Sequence, residues 1–294
     1  MRRTFALLLL TLGGCTTPAR PPAGPIVVVD DAADTVRLAA PARRIVSLSP
    51  ATTELLFAIG AGDRVVGRTR WCDYPAEALA VPSVGDGLPP NTEAVLAQSP
   101  DLVLVYRSPQ NAAALARFRA AGIAALELTI DHLADVSRLA RLLGPAVGTA
   151  PRADSVATAF EAAIAVAARR SAELPDSGRP RVLLLAWDQP PIAIGAGSFQ
   201  SEILTLAGGR NLFADLAAPS APVSIEAIAA RRPDLVLVGD TGAPGFARRP
   251  EWQVVGAVAE RRFVRLGSAA FSRPSPRAVA TVEQLRNALL AAPR

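Results

Sequence analysis

Side chains able to do covalent chemistry are scarce in this 294-residue chain. His132 is its single histidine, with no paired base partner at a readable spacing. The surface or a helix start is its expected place. No Gly-x-Ser-x-Gly elbow is present, and Gly195-Ala196-Gly197-Ser198-Phe199-Gln200 fails the dinucleotide fingerprint. Zinc and manganese sites want several imidazoles, which one histidine cannot supply. The expectation is a chain that is not an enzyme. What stands out instead is aromatic. Trp71 and Tyr74 flank Cys72, Trp187 follows Leu183-Leu184-Leu185, Tyr106-Arg107 closes another apolar run, and Phe271 precedes Ser275-Pro276-Arg277. Trp252, in a polar stretch after Pro250, is expected at the surface or at a hinge.

These side chains need a scaffold, and the chain carries one twice. Asn91-Thr92-Glu93-Ala94-Val95 leads into Pro100-Asp101-Leu102-Val103-Leu104-Val105. Ser224-Ile225-Glu226-Ala227-Ile228 leads into Pro233-Asp234-Leu235-Val236-Leu237-Val238, and one interval separates both Glu93 from Glu226 and Asp101 from Asp234. Asn91 and Ser224 suit helix N-caps, and the glutamates complement the positive end of the dipole. Runs that are apolar at every position predict strands buried on both faces of a parallel sheet.

A looser echo pairs the strand Arg44 to Leu48, the Ser49-Pro50 helix start and Glu54-Leu55-Leu56 with the strand Arg181 to Ala186, Ser198 and Glu202-Ile203-Leu204. Between the halves, Ala150 to Glu173 contains few breakers and sets Val156, Phe160, Ile164 and Ala167 at helical spacing. The predicted fold is α/β: two lobes with parallel central sheets joined by one long backbone helix. Such a design leaves a cleft and allows little hinge bending. The expected boundaries are 41–148 for the N-terminal lobe, 149–176 for the connecting helix and 177–292 for the C-terminal lobe.

Met1-Arg2-Arg3, the apolar stretch Phe5 to Leu12 and Leu12-Gly13-Gly14-Cys15 read as a secretory signal, too short for a span of about 20 residues. The pattern resembles a bacterial lipobox, which implies acylation of Cys15. Residues 1–15 are then a lipoprotein signal and residues 16–40, rich in proline, a tether. Within the tether, Val27 to Asp30 and Thr35 to Leu38 could pair as a short edge hairpin. The expected place is outside the cell membrane, lipid-anchored, facing the periplasm or the cell exterior.

Half of the chain is hydrophobic and 19% is charged, a globular balance. All 31 basic residues are arginine and they are scattered, so the net charge of +5 does not point to nucleic acid. After Cys15 only Cys72 remains, so no intrachain disulfide can form and packing must supply the stability. A monomer is expected.

The run Arg44 to Phe57, Cys72-Asp73-Tyr74-Pro75, Pro100 to Val105 and Ser275-Pro276-Arg277 together resemble class III periplasmic substrate-binding proteins of ABC importers, from about Ala42 to Leu290. That helical-backbone class serves cobalamin, haem and ferric siderophores, and these motifs look most like its cobalamin branch. The resemblance implies a bound cobalamin or related corrinoid, no covalent cofactor, and delivery to an ABC permease with its ATPase subunits. It implies docking through one glutamate on each lobe, matched here to Glu54 and Glu202. It implies a ligand wall of Trp71, Tyr74, Tyr106, Arg107, Trp187 and Phe271, since a large amphipathic ligand needs flat apolar surfaces and a few hydrogen bonds.

Compared with the best-known cobalamin binders, Gly87 replaces a cleft tryptophan, an aromatic is missing near Pro222, and the neighbour of Phe271 is Ala270. The alternative ligand is haem or a ferric siderophore, the latter to be met by Arg68, Arg70, Arg107 or Arg273. Cys72 is a candidate ligand for cobalt or haem iron, against the ordinary habit of a free cysteine to pack as a small hydrophobe.

Overall fold

The computed structural model describes residues 24–239, 244–267 and 269–292. Cys15 and the lipobox lie outside the described residues. The first strands, β1 (Ile26–Val29) and β2 (Thr35–Leu38), form an antiparallel hairpin. Then β3 (Ile45–Ser47), α1 (Pro50–Ala58), β4 (Val65–Arg68), α2 (Thr92–Leu96), β5 (Leu102–Tyr106), α3 (Ala112–Ala120) and β6 (Ala124–Leu128) wind a parallel sheet in the order β4-β3-β5-β6. α4 (Leu133–Ala146) hands the chain to the long α5 (Ala150–Ala172).

The second lobe contains β7 (Arg181–Leu183), β8 (Leu185–Asp188), β9 (Pro191–Ile194), α6 (Phe199–Ala207), β10 (Arg210–Asn211), β11 (Ser220–Pro222), α7 (Ile225–Ala230), β12 (Leu235–Val238), α8 (Gly256–Ala259), β13 (Phe263–Arg265) and α9 (Ala278–Ala291). Its parallel sheet runs β10-β7-β12-β13, so the first strand again lies between the second and the third. The winding is the same in both lobes. A small antiparallel sheet, β11-β9-β8, accompanies the second.

The repeated motif has a physical reason. The Asn91 side chain accepts a hydrogen bond from the Ala94 amide and Ser224 from the Ala227 amide, each at 3.1 Å, which caps α2 and α7. Asp101 accepts from the Arg43 and Arg44 amides at 2.8 and 3.0 Å, and Asp234 from the Arg181 amide at 2.7 Å. In each lobe, therefore, the Pro-Asp of the motif ties the start of one strand to the start of its neighbour. Leu102, Val103, Leu104 and Val105 are all buried, as a strand covered on both faces requires.

The spine is built to touch both lobes. α5 packs against α4 on one side of the molecule and against α6 and α9 on the other. Ala153, Ala157, Phe160 and Ala167 form its buried stripe, and burying Phe160 alone contributes roughly 2 kcal/mol. A Cβ at Gly144 would meet Ala153 Cβ at 2.6 Å, so the glycine sets how closely α4 and α5 approach.

Two expectations need correction. The hairpin β1–β2 is sewn into the first lobe and does not hang in a tether. Val28 and Leu38 are core residues, the Asp31 amide donates to Glu127 O at 2.9 Å, and Arg138 holds the Asp31 carboxylate at 2.6 Å. Trp252 is not at the surface either. It is fully buried in the second core with Phe213, Val255 and Val258, its ring 4.7 Å from that of Phe246. No helix among the described residues is long and apolar enough to cross a membrane.

Candidate functional site

Both sheets reverse their strand order at one place, between β3 and β5 in the first lobe and between β7 and β12 in the second. Ligands of open α/β sheets bind at such points, outside the carboxyl ends of the strands. Trp71, Tyr74 and Arg107 follow strand ends of the first lobe, Tyr106 ends β5, and Trp187 lies in β8 of the second. A cavity of about 550 Å³ lies against the strand ends of the second lobe, lined by Leu184, Ala186, Leu237, Val238, Leu266 and Phe271. A larger one, about 690 Å³, lies between α4, α5 and α6 and touches no strand end. Its polar side chains already have protein partners, so the smaller cavity fits a recognition site better.

Three of the expected wall residues are exposed to a degree unusual for their size: Trp71 at 53%, Tyr74 at 43% and Trp187 at 60%. Exposed aromatics of this kind mark binding surfaces. Tyr106 donates its hydroxyl to Asp131 Oδ1 at 2.9 Å. Partial burial and that carboxylate push its pKa up to about 12, so it remains a neutral phenol. Arg107 is exposed at the end of the same strand.

Glu54 departs from the expectation of an exposed docking carboxylate. Its side chain is 2% exposed, and Arg277 clasps both oxygens, Nε to Oε2 at 2.9 Å, with Arg273 reaching Oε1 at 3.4 Å. The reason is tertiary: α1 turns this face towards the segment before α9, more than 200 residues away in sequence. Glu202, half-exposed, spans the lobes as well. Its Oε1 meets His132 Nδ1 at 2.6 Å and its Oε2 accepts from the Leu133 amide at 2.8 Å. His132 is the N-cap residue of α4, and the hydrogen bond to Glu202 raises its pKa.

Cys72 is 1% exposed and its sulfur lies 3.1 Å from the hydroxyls of both Thr53 and Thr69, so it faces the core and not a ligand. Arg68 is buried too, donating to the carbonyls of Ala78 and Thr69 at 2.8 and 2.9 Å. Arg70 pairs with Asp86 at 2.5 Å and Arg273 with Asp73. Of the arginines considered for a ferric chelate, only Arg107 is exposed and without a carboxylate partner among the described residues. Gly87 has φ +86°, and a Cβ there would stand 2.7 Å from Leu48 O, so no side chain fits without moving that backbone.

Sequence reasoning missed two sets of residues. One is the pair Arg273 and Arg277 in the role of joining the lobes: in the sequence Arg273 reads only as a contact for a ferric chelate and Arg277 only as part of a motif. The other is Glu93 and Glu226. Both lie in the first turn of the repeated helices, α2 and α7, and both are exposed. Hydrogen bonds from its own backbone amide and from Ser224 hold Glu226 below the usual carboxylate range. The internal repeat could have singled them out, because it aligns them with each other more closely than it aligns Glu54 with Glu202.

Comparison with known proteins places this geometry. A model of the periplasmic binding protein family matches residues 45–270. A vitamin B12-binding protein of Salmonella typhimurium is 33% identical over 251 residues, 84% of this chain and 90% of its own length. The crystal structure of the periplasmic vitamin B12-binding protein of Vibrio cholerae superposes with TM-score 0.72 at 26% identity, over 85% of this chain and 97% of that one. The apo periplasmic haem-binding protein of Roseiflexus superposes with TM-score 0.74 at 27% identity, over 84% and 97%. These relatives are substrate-binding proteins and not enzymes.

Proposed function

The chain belongs to the periplasmic binding protein family, and from that premise we propose that it captures cobalamin or a related corrinoid and hands it to an ABC permease. The observation that carries this reading is the exposed set Trp71, Tyr74 and Trp187, presented by a loop of the first lobe and by β8 of the second. Flat, exposed rings suit a large, amphipathic macrocycle. The vitamin B12-binding relatives support the same choice. Export and acylation at Cys15 complete the proposal.

Chemistry favours a corrinoid over haem at this site. Haem iron is held in proteins by an axial His, Cys, Met or Tyr. Here His132 is engaged with Glu202, Cys72 is buried, and the Tyr106 phenol is kept protonated by Asp131. Tyr74 is the one exposed tyrosine that could serve, with Arg277 3.8 Å from its ring centre. Haem is thus the second reading, favoured by the likeness to haem-binding structures, and it stands on Tyr74 alone.

Docking on the permease is assigned to Glu93 and Glu226 in place of Glu54 and Glu202. They are exposed and equivalent in the repeat. They open crossover helices that start at the carboxyl edge of each sheet, the rim of the cleft. Charges so placed set orientation and encounter rate more than affinity.

The test is calorimetric titration of protein lacking residues 1–15 with cyanocobalamin, haem and a ferric siderophore. One cyanocobalamin per chain is the expected result. Silence towards cyanocobalamin with binding of haem, lost in Tyr74→Phe, would establish the second reading. Silence towards all three would remove the proposal.

A further inference from the structure

The loop that carries Trp71 and Tyr74 belongs to the first lobe by sequence but is gripped from the second as well. Arg273 donates Nη2 to Trp71 O at 2.8 Å and pairs with the Asp73 carboxylate, which its hydrogen bond keeps below the usual range. Arg277 lays its guanidinium over the Tyr74 ring, 3.8 Å from the centre, a cation–π contact. Both arginines also bond Glu54, buried in α1. Side-chain exposure of Arg273 and Arg277 is 13% and 25%, so these bonds are largely shielded from water and salt.

A planar, always-charged guanidinium suits this double task of pairing and stacking, which a lysine cannot perform. The first lobe anchors the loop at Cys72, buried against Thr53 and Thr69, and its Arg70, itself exposed, stacks on Trp71.

Resting on the binding role proposed above, we infer that Arg273 and Arg277 are positioning residues of the ligand site, gripping the Trp71–Tyr74 wall from the opposite lobe. The wall is then complete only while the lobes keep this orientation. Opening the lobes must break the bonds to Asp73, Trp71 O and Glu54, and it frees the wall in the same movement. Release of the ligand is thereby coupled to lobe separation without any residue that senses the ligand itself.

The test needs no ligand for its first half. In a Trp187→Phe background, Trp71 is the exposed tryptophan, because Trp252 is fully buried. Acrylamide quenching should rise in Arg273→Gln and equally in Asp73→Asn, and the double variant should add nothing further. In the second half, with Trp187 restored, each single variant should weaken cyanocobalamin binding about tenfold, and Asp73→Asn, which leaves Glu54 paired, should do so with little change in thermal midpoint. Arg277→Lys, which keeps the charge facing Glu54 but loses the flat face over Tyr74, should also weaken binding.

Unchanged quenching in Arg273→Gln overturns the inference, and so does a cyanocobalamin affinity within twofold of wild type. Should the wild type bind neither cyanocobalamin nor haem, the functional reading fails, and quenching alone still decides whether the second lobe orders this loop.

Discussion

His132 of the first lobe and Glu202 of the second meet at 2.6 Å, imidazole Nδ1 to carboxylate Oε1. Asp131 and Asp135 add to the negative surroundings, and together with Glu202 they raise the imidazole pKa against the opposing cost of its partial burial. A folded-state pKa above the unfolded value means stability that is fully present below about pH 6.5 and fades as pH rises through the folded value. Substituting His132→Gln should therefore lower the thermal midpoint by about 2 °C at pH 6, since an exposed pair is worth less than ~1 kcal/mol. The gap should close towards pH 9. Melting curves across that range decide it, and a gap that widens with pH would refute the pairing.

Exposed tryptophans can be removed at little structural cost. Trp71→Ala and Trp187→Ala should each weaken cyanocobalamin binding about tenfold, near 1.4 kcal/mol, with thermal midpoints almost unchanged. Titration calorimetry beside melting curves separates the two effects.

Trp252→Ala should behave in the opposite way. A large aromatic lost from a closed core costs about 3–5 kcal/mol, so urea unfolding should show a much lower midpoint. Surviving protein should bind ligand with nearly normal affinity, because Trp252 lines neither the strand-end cavity nor the exposed aromatic set.

Loss of both rim carboxylates, Glu93→Ala with Glu226→Ala, should abolish corrinoid uptake by cells while leaving the dissociation constant within twofold. Glu54→Gln should instead cost about 3 kcal/mol of stability, because it leaves two shielded guanidiniums short of a charge partner. An uptake defect in Glu54→Gln with full stability would restore that residue as the docking group.

Folded protein should resist maleimide at Cys72 and react once urea unfolds it, as 1% exposure requires. Mass spectrometry after a short pulse reads this directly. Rapid labelling of the native state would return the thiol to the list of ligand contacts.

Much of the architecture was legible because it is written locally. The paired Asn91 and Ser224 caps, the Pro-Asp turns and the unbroken Leu/Val runs each follow from neighbouring residues, and the repeat multiplied their weight. Exposed Trp71 and Trp187 were legible for the same reason, as aromatics standing just past apolar strands. Glu54 was not, because its fate is decided by Arg273 and Arg277, distant in sequence and joined to it only by the docking of two lobes. Trp252 misled because its polar chain neighbours describe the outside of a turn whose inside faces Phe246. The hairpin at Ile26–Leu38 was only half legible: its strands could be read, but the pull of Asp31 towards Arg138 and Glu127 could not.

That hairpin has a further consequence once Cys15 carries its lipid. With β1 beginning at Ile26, ten residues, Thr16 to Pro25, separate Cys15 from the hairpin, a length of chain that spans at most about 35 Å. Under the proposed acylation the body would stay within that reach of the bilayer, and its search for a transporter would be a glide in two dimensions.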